Sequence, residues 1–338
     1  MDEKLKIVWI CAFSDGKIRQ HYKTKCGFFM RTIYEIMNGK SAKSQDFAVW
    51  NSNGIAEMEK HEDVELHVIS PIRFLSEKEF RFVVNGIHYY FFREENSTFF
   101  KQVVYQIFCK YRATFKKNRR HISKLIDEIH PDLVHVIGAE NPYYSTSILD
   151  VAQETPTIIQ LQALLHKAQY ETTLKKEKKS FHYKAEIEKE IFQKATYIGT
   201  TSSVNIDYIR QNINPNARFV DTTLAQTEPV DMSESYKQFD FVYFAVGIQK
   251  AVDWAIEAFA IAKNTEPTLT LDVVGGFTKE LKAGIDARLN ELGISDAVTF
   301  EGRLATHEDV IRQIRKSKYA LLPLKMDLVP GTVREAMA

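Results

Sequence analysis

Two carboxylates near the end of the 338-residue chain stand on either side of a segment that begins a helix. Asp327 precedes Pro330, Gly331 and Thr332, and Glu335 follows them. A proline in the first turn suits a helix start, whose unpaired N–H groups attract anions. We therefore expect the amides and the Thr332 hydroxyl to bind a diphosphate and the two acids to accept hydrogen bonds from hydroxyl groups, as a sugar nucleotide requires. A structural alternative is that Asp327 caps the helix and Glu335 lies on its solvated face.

Signatures of several other enzyme classes are missing from the sequence. The segment Gly39-Lys40-Ser41 resembles the end of a phosphate-binding loop, but Tyr34 stands where that motif needs glycine. No GxGxxG turn follows the first predicted strand, as an NAD(P)-dependent dehydrogenase would need, and GxSxG and HExxH are also missing. No Asp-x-Asp pair is present to hold a metal-bound nucleotide sugar. We therefore predict neither a metal ion nor a cofactor.

Composition and charge are those of an ordinary globular protein, with 44% hydrophobic and 26% charged residues. The 45 basic and 44 acidic residues leave a net charge of +1, so no nucleic-acid partner is expected. The three cysteines, Cys11, Cys26 and Cys109, show neither a CxxC pair nor zinc-ligand spacing, which suits a reducing compartment. The apolar run at 7–13 is too short for a signal peptide or a membrane span. We expect a cytoplasmic protein.

The elements that must position the carboxylates alternate between short β-rich runs and helical patterns. Many of the β-rich runs are nearly continuous in β-branched residues, which indicates parallel strands covered on both faces. The clearest helices are 252–263 and 308–316, the second preceded by a possible capping box at Thr306 and Asp309. This alternation predicts a doubly wound α/β fold. The predicted strands are 6–11, 64–69, 133–137, 157–161, 197–201, 241–245, 269–274, 297–300 and 319–323.

A polar stretch without periodicity, at 225–235, is typical of a linker between two domains. We expect an N-terminal Rossmann-like domain over 1–224 and a second over 225–338. The chain ends in a helix that has only begun and that has no C-cap, so we expect the second domain to be truncated at its C-terminus.

The C-terminal hundred residues resemble a known family. The pattern of residues 321–338 (LLPLKMDLVPGTVREAMA), a strand followed by proline, an acid and Glu-Ala-Met-Ala, is similar to the nucleotide-sugar motif of GT-B glycosyltransferases of family 4 (group 1). Residues 271–276 (LDVVGG), 293–302 (GISDAVTFEG) and 241–259 follow the order and spacing of that family. In the first half, 130–137 (HPDLVHVI) resembles the strand that ends near the acceptor.

This resemblance implies a metal-independent, retaining hexosyltransferase with two facing Rossmann-like domains and the donor between them. It assigns Glu335 to the ribose hydroxyls of the donor, Asp327 to the hydroxyls of the transferred sugar, and Lys250 to the departing diphosphate. Thr332 and the amides near Gly331 would also bind the diphosphate. The remaining expected donor contacts are Gly16, Gly302 and Arg303, of which Gly16 would lie near the phosphate and the other two near the base.

The chain departs from the family pattern at the phosphate site. Asp327 replaces the usual glutamate, and the segment 245–251 (AVGIQKA) lacks the usual arginine and has Ala251 in place of glycine after Lys250. Ser14 and Asp15 precede Gly16 where paired glycines are usual. The missing arginine and the expected truncation support one alternative, a truncated or degenerate non-catalytic protein that binds a nucleotide sugar weakly or serves only as a partner. A second alternative is a nucleotide-sugar epimerase on the same fold.

The acceptor is expected in the first half of the chain. His135 and His166 could orient an acceptor or serve as a general base, although a lone histidine in such a place is commonly structural. Glu140 and Asn141, just past a predicted strand, are equally good acceptor contacts. We expect a glycan or lipid-linked acceptor, with surface polysaccharide synthesis as the role.

A basic stretch with interleaved aromatic residues, 99–124, could lie on an anionic membrane surface. The alternative is a solvated helix packed through its aromatic residues. We therefore expect a peripheral contact with the inner face of a membrane as a possible addition to the cytoplasmic location.

Overall fold

The computed structural model describes residues 4–25, 47–95, 114–151, 155–171, 175–223, 225, 236–244, 251–304, 306–323 and 331–337. The chain folds into two compact units, 1–225 and 226–338. In the described residues, no helix is both long and apolar enough to cross a membrane.

The first unit is built on a sheet of eight strands, of which all but one run parallel. Its order is β3-β4-β2-β1-β5-β6-β7-β8, so the chain leaves β1 for β2 on one side and returns to β5 on the other. In the described residues its elements are β1 Leu5–Ile10, α1 Gly16–Arg19, α2 Val49–Met58, β2 Val64–Ile72, β3 Glu79–Val84, β4 Ile87–Arg93, α3 Lys116–Ile129, β5 Leu133–Ile137, α4 Pro142–Ser145, α5 Ile148–Val151, β6 Thr157–Gln160, α6 Leu165–Glu171, α7 Lys175–Lys194, β7 Tyr197–Gly199, α8 Ser203–Asn212 and β8 Phe219–Val220.

Strands β2 and β5 lie on opposite sides of β1, so the direction of winding reverses at β1. The carboxyl ends of β1, β5 and β6 lie next to one another at one edge of the sheet, since these strands are parallel neighbours. Open α/β sheets bind ligands at this kind of edge, where the direction of winding reverses. The loops that follow these three strands are therefore the parts of the first unit in which a binding site is expected.

The second unit contains four parallel strands in the order β11-β10-β9-β12. In the described residues its elements are β9 Phe239–Phe244, α9 Val252–Thr265, β10 Leu271–Val274, α10 Lys279–Leu292, a 3₁₀ turn Ser295–Ala297, β11 Val298–Gly302, α11 His307–Ile314, β12 Ser317–Ala320 and α12 Gly331–Met337.

The second sheet is covered on both faces, as its continuous apolar strands predict. Tyr243 on β9 and Val273 on β10 belong to a core that includes Phe259 of α9. Val242 and Val274, the next residues along the two strands, belong to a separate core with α11. Strand residues alternate between the two faces, so each face buries apolar side chains. The predicted α/β class with two Rossmann-like sheets is confirmed.

Candidate functional site

Glycines occupy the turns at the carboxyl edge of the second sheet. Gly275 follows β10 with φ 140° and Gly302 ends β11 with φ 69°, which are backbone conformations that residues with a Cβ rarely adopt. The N–H of Gly275 donates to the carbonyl oxygen of Gly302 at 2.8 Å and joins the two strand ends. The side chain of Arg303 packs on Gly276, where an added Cβ would lie 3.3 Å from the Arg303 Cβ. Arg303 is exposed and forms no ion pair among the described residues.

The connection from β11 to α11 meets α12. Thr306 accepts a hydrogen bond from the N–H of Asp309, whose carboxylate accepts from the N–H of Thr306 in return, so the predicted capping box is confirmed. This cap makes His307 the first residue of α11, and its Nε2 lies 3.5 Å from Oε1 of Glu335. Glu335 on α12 therefore lies beside the connection that Gly302 and Arg303 begin.

Thr332 lies one turn before Glu335 on α12. Its hydroxyl oxygen is buried and has no hydrogen-bond partner among the described residues. A buried hydroxyl without a partner is costly, and a bound ligand would remove that cost by supplying a donor or acceptor. Of the other predicted donor residues, Lys250 and Asp327 lie outside the described residues.

Gly16 is the first residue of α1, in the first unit. The side chain of Asp15 caps this helix, since its Oδ1 accepts from the N–H of Lys17 at 2.7 Å. A Cβ added at Gly16 would lie 3.4 Å from its nearest neighbour, the Nη2 atom of the Arg19 side chain. Neither the available space nor the backbone conformation therefore requires glycine at this position. Its predicted phosphate contact stays a prediction.

Glu140 and Asn141 follow β5 at the carboxyl edge of the first sheet. Gly138, with φ 92°, turns the chain so that the Glu140 carboxylate folds back over it; a Cβ at 138 would lie 2.5 Å from Oε1 of Glu140. Nδ2 of Asn141 donates to that oxygen at 2.7 Å and contacts the hydroxyl of Tyr144 at 3.2 Å. Burial raises the pKa of Glu140 to about 7, although the charge of Lys184 opposes the shift.

Two residues not identified from the sequence join this cluster. The Gln162 amide is assigned with its nitrogen toward Glu140, because that orientation satisfies both of its neighbours. Its nitrogen then donates to Oε1 of Glu140 at 3.1 Å, and its oxygen accepts from the indole N–H of Trp50 at 2.8 Å. The other oxygen of Glu140, Oε2, is buried and has no hydrogen-bond partner among the described residues.

The two predicted histidines both contact residues of the first unit, and their predicted acceptor role stays a prediction. His135 lies in the middle of β5, with its ring edge-on to Trp9 at 5.7 Å, and burial lowers its pKa to about 4. His166 lies near the start of α6, where its N–H donates to Oε2 of Glu188 at 2.8 Å and its Nδ1 lies 3.0 Å from the Tyr208 hydroxyl. Burial lowers its pKa as well.

Residues 238–338 match a protein-family model described as glycosyl transferases group 1. The second unit thus resembles the group 1 glycosyl transferases. The match spans nearly all of that unit and includes Gly302, Arg303 and Glu335. The family resemblance expected from the sequence is thus confirmed, and the match supports glycosyltransferase activity. No curated protein sequence matches the chain.

Solved structures extend the likeness to both units. Sucrose-phosphate synthase from Thermosynechococcus elongatus has a TM-score of 0.61 at 14% identity, over 99% of this chain and 79% of that one. HepE of Anabaena, in complex with UDP and glucose, gives 0.54 at 12% identity, over 98% and 78%. The apo lipopolysaccharide outer core galactosyltransferase WaaB gives 0.52 at 17% identity, over 98% and 78%. These likenesses show the GT-B fold.

The sequence predicts no metal ligands. Among the residues that the structure describes, no three His, Cys, Asp or Glu side chains are grouped as metal ligands would be. Metal independence stays a prediction.

Proposed function

We propose that the chain is a retaining hexosyltransferase that moves a sugar from a nucleoside diphosphate donor to a hydroxyl group of a glycan or lipid-linked acceptor. The donor would bind the second unit and the acceptor the first. The observation that carries this proposal is the position of Glu335 beside the β11–α11 connection, within the residues that match the glycosyl transferase model.

The donor contacts are assigned by chemistry. The Glu335 carboxylate would accept hydrogen bonds from the two ribose hydroxyls. The Thr332 hydroxyl, which has no partner in the part of the chain that the structure describes, would bind a phosphate oxygen. The exposed guanidinium of Arg303 would lie near the base. Asp327 would accept from hydroxyls of the transferred sugar, and Lys250 would bind the diphosphate.

The reaction breaks the bond between C1 of the sugar and the diphosphate oxygen and forms a bond from C1 to the acceptor oxygen, while the proton of the acceptor hydroxyl passes to the departing diphosphate. Negative charge grows on the departing diphosphate, so its stabilisation is the main catalytic task. Lys250 and the Thr332 hydroxyl are the groups proposed for it. Product of the same anomeric configuration as the donor, measured by NMR, would support the retaining assignment, and the opposite anomer would overturn it.

Calorimetry with UDP tests the donor site, since the structural relative HepE was solved with UDP and glucose. We expect Glu335→Ala to weaken UDP affinity at least about tenfold, because a charged acceptor of two hydroxyl hydrogen bonds is lost. Glu308→Gln is the matched control: Glu308 lies on α11 and pairs with Arg312. Equal UDP affinity of Glu335→Ala and the wild type would reject the assignment.

The two alternatives are separated by incubating the chain with a panel of UDP-sugars and no acceptor. A glycosyltransferase releases UDP slowly by transfer to water. A non-catalytic protein binds UDP and releases none from the sugar, and an epimerase changes the sugar while the diphosphate stays attached. The missing arginine before Lys250 is the feature that favours the non-catalytic alternative.

A peripheral membrane contact is proposed for the basic stretch, of which 114–124 is described. Lys116, Arg120 and Lys124 lie one turn apart on α3, and these three side chains and Lys117 are all exposed. The apolar side of α3, including Ile122 and Leu125, is buried in the unit. The exposed cationic stripe is available to attract anionic lipid headgroups.

A further inference from the structure

Two large aromatic side chains are exposed at the carboxyl edge of the first sheet. Phe47 is 50% exposed and Trp50 is 38% exposed. Phe47 pairs with Ser14 through backbone hydrogen bonds of 3.1 and 3.2 Å, and Nδ2 of Asn51 donates to the carbonyl oxygen of Ala12 at 3.1 Å. These hydrogen bonds fix the start of α2 against the loop that follows β1.

Hydrogen bonds link Trp50 to the loops after the two neighbouring strands. Its indole N–H donates to Gln162, which follows β6, and Gln162 donates to Glu140, which follows β5. Strands β1, β5 and β6 are consecutive in the sheet, so three adjacent strand ends contribute to one polar and aromatic surface. The edge of the indole ring is held by Gln162, while part of the ring remains open to solvent.

Glu140 has one satisfied oxygen and one unsatisfied oxygen. Oε1 accepts from Asn141 and Gln162, whereas the buried Oε2 has no partner among the described residues. Buried polar atoms in native proteins are nearly always paired, with protein, water or a ligand. A ligand hydroxyl that enters beside Trp50 would give Oε2 the donor that it lacks.

The chemistry of this surface suits a neutral sugar ring. The apolar face of a pyranose can pack on an indole ring, and its hydroxyls can donate to a carboxylate and exchange hydrogen bonds with amides. An anionic headgroup would be disfavoured above about pH 7, where the Glu140 carboxyl group is ionised and the two negative charges would repel each other.

We propose that Trp50, Gln162 and Glu140 form a subsite for one neutral sugar ring of the acceptor, an inference that rests on the proposed glycosyl transfer. It narrows the acceptor from a glycan or any lipid-linked group to one that ends in a sugar. Asn141 holds Glu140 in place and contributes an amide to the same surface.

Tryptophan fluorescence tests this subsite without any nucleotide. The chain has three tryptophans, Trp9, Trp50 and Trp254. We expect titration with methyl glycosides of glucose, galactose and N-acetylglucosamine to change the emission for at least one of them. Trp50→Phe should abolish the change, whereas Trp254→Phe, a matched control on α9 whose tryptophan is 54% exposed, should keep it.

A second test measures the affinity of the variants for the glycosides by NMR saturation transfer. Trp50→Ala should weaken glycoside binding about tenfold, as loss of an aromatic contact in a half-buried site does. Glu140→Gln keeps the shape but replaces one carboxylate oxygen with an amide nitrogen and should weaken binding several-fold. Glu57→Gln, at an exposed position on α2, is the control for charge removal.

The proposal is overturned if no glycoside of the panel gives a response, if Trp50→Phe keeps the wild-type emission change, or if Trp50→Ala binds with wild-type affinity. These titrations contain no donor, so failure of the subsite is distinct from failure of the UDP site. Loss of UDP binding in Glu335→Ala with no sugar binding to the wild type would support the donor site and reject the acceptor subsite.

Discussion

The Glu335 carboxylate and the His307 imidazole lie 3.5 Å apart and connect α12 to the first turn of α11. Each side chain is about one-fifth exposed, at 23% and 22%. A partly exposed pair of this kind contributes modestly to stability, about 0.2–1 kcal/mol. We therefore propose that His307 positions the carboxylate for the ribose contact assigned to Glu335.

We expect His307→Ala to weaken UDP affinity about two- to fivefold, less than the loss of Glu335 itself, because only the orientation of the carboxylate is affected. His307→Gln should restore most of the affinity, since an amide nitrogen can still donate. Calorimetry in a double-mutant cycle provides the check. If His307→Ala weakens UDP binding as much in a Glu335→Ala background as in the wild type, the two residues act independently and the positioning role is wrong.

The basic stripe on α3 predicts binding to anionic vesicles. Replacing Lys116, Arg120 and Lys124 with glutamine should lower partition into vesicles that contain phosphatidylserine about 100-fold, at about 1 kcal/mol for each cation near the surface. Sedimentation with the vesicles measures the partition. Vesicles of phosphatidylcholine alone should bind neither protein, and salt should weaken the wild-type interaction. Equal sedimentation of the triple variant and the wild type would leave the stripe as a solvated helix face.

The parallel strands can be predicted because strands covered on both faces are apolar along their whole length. Residues Val68 and Ile69 on β2, for example, are both fully buried although they point to opposite faces. The β3–β4 hairpin is not among the predicted strands. A signal for it is present in Asn85-Gly86, a dipeptide favoured in tight hairpin turns, and the structure gives these residues φ values of 50° and 80°. An antiparallel hairpin at the end of a parallel sheet follows from this local turn and not from the βαβ pattern.

Residues of the candidate site can be predicted from the sequence only where they belong to a recognisable local pattern. Glu335 and Gly302 stand in local patterns, and the capping box that makes His307 the first residue of α11 is also local. The contact of His307 with Glu335, and that of Trp50 with Gln162, join distant segments. Such contacts depend on how strands and helices pack, which spacing along the chain does not encode.

The buried Asp272 on β10 should make the free energy of unfolding depend on pH. Its side chain is fully buried: Oδ2 accepts from Nε2 of Gln313 at 2.9 Å, and Oδ1 has no partner among the described residues. Burial raises its pKa from 3.8 to about 6. The unfolded carboxyl ionises near 3.8 and the folded one only near 6, so stability falls as pH rises through this window and stays constant above it.

Asp272→Asn should therefore raise the free energy of unfolding at pH 8 by about 1–3 kcal/mol, as measured by urea titration. Asp240→Asn is a control with the opposite sign. The hydrogen bond from Lys318 and those from Thr270 lower the pKa of Asp240, so its charge is favoured in the folded state. Destabilisation by Asp272→Asn would show that the buried carboxylate is needed in its ionised form.

The buried His135 should make the first unit less stable in acid. Burial lowers its pKa from 6.5 to about 4, so the folded histidine stays neutral while the unfolded one takes up a proton. Stability is unaffected above pH 6.5 and falls by up to about 3 kcal/mol as pH drops toward 4. His135→Gln should flatten part of this dependence in urea titrations at pH 5 and 7.5. The remainder would come from groups such as His67 and His121, whose pKa values burial also lowers. An unchanged slope would mean that His135 does not contribute.

Gly138 and Gly86 form a matched pair for testing the loop that holds Glu140. Both have left-handed backbones, with φ values of 92° and 80°, so alanine at either position should cost about 1–2 kcal/mol. At Gly86 a Cβ meets nothing within 4 Å, whereas at Gly138 it would lie 2.5 Å from Oε1 of Glu140. Gly138→Ala should therefore destabilise the protein more than Gly86→Ala. It should also reduce the sugar-induced change in Trp50 fluorescence, because the displaced carboxylate no longer holds Gln162.

Equal losses of stability, with the fluorescence response intact in both variants, would show that the Glu140 carboxylate moves aside at little cost and does not position Trp50.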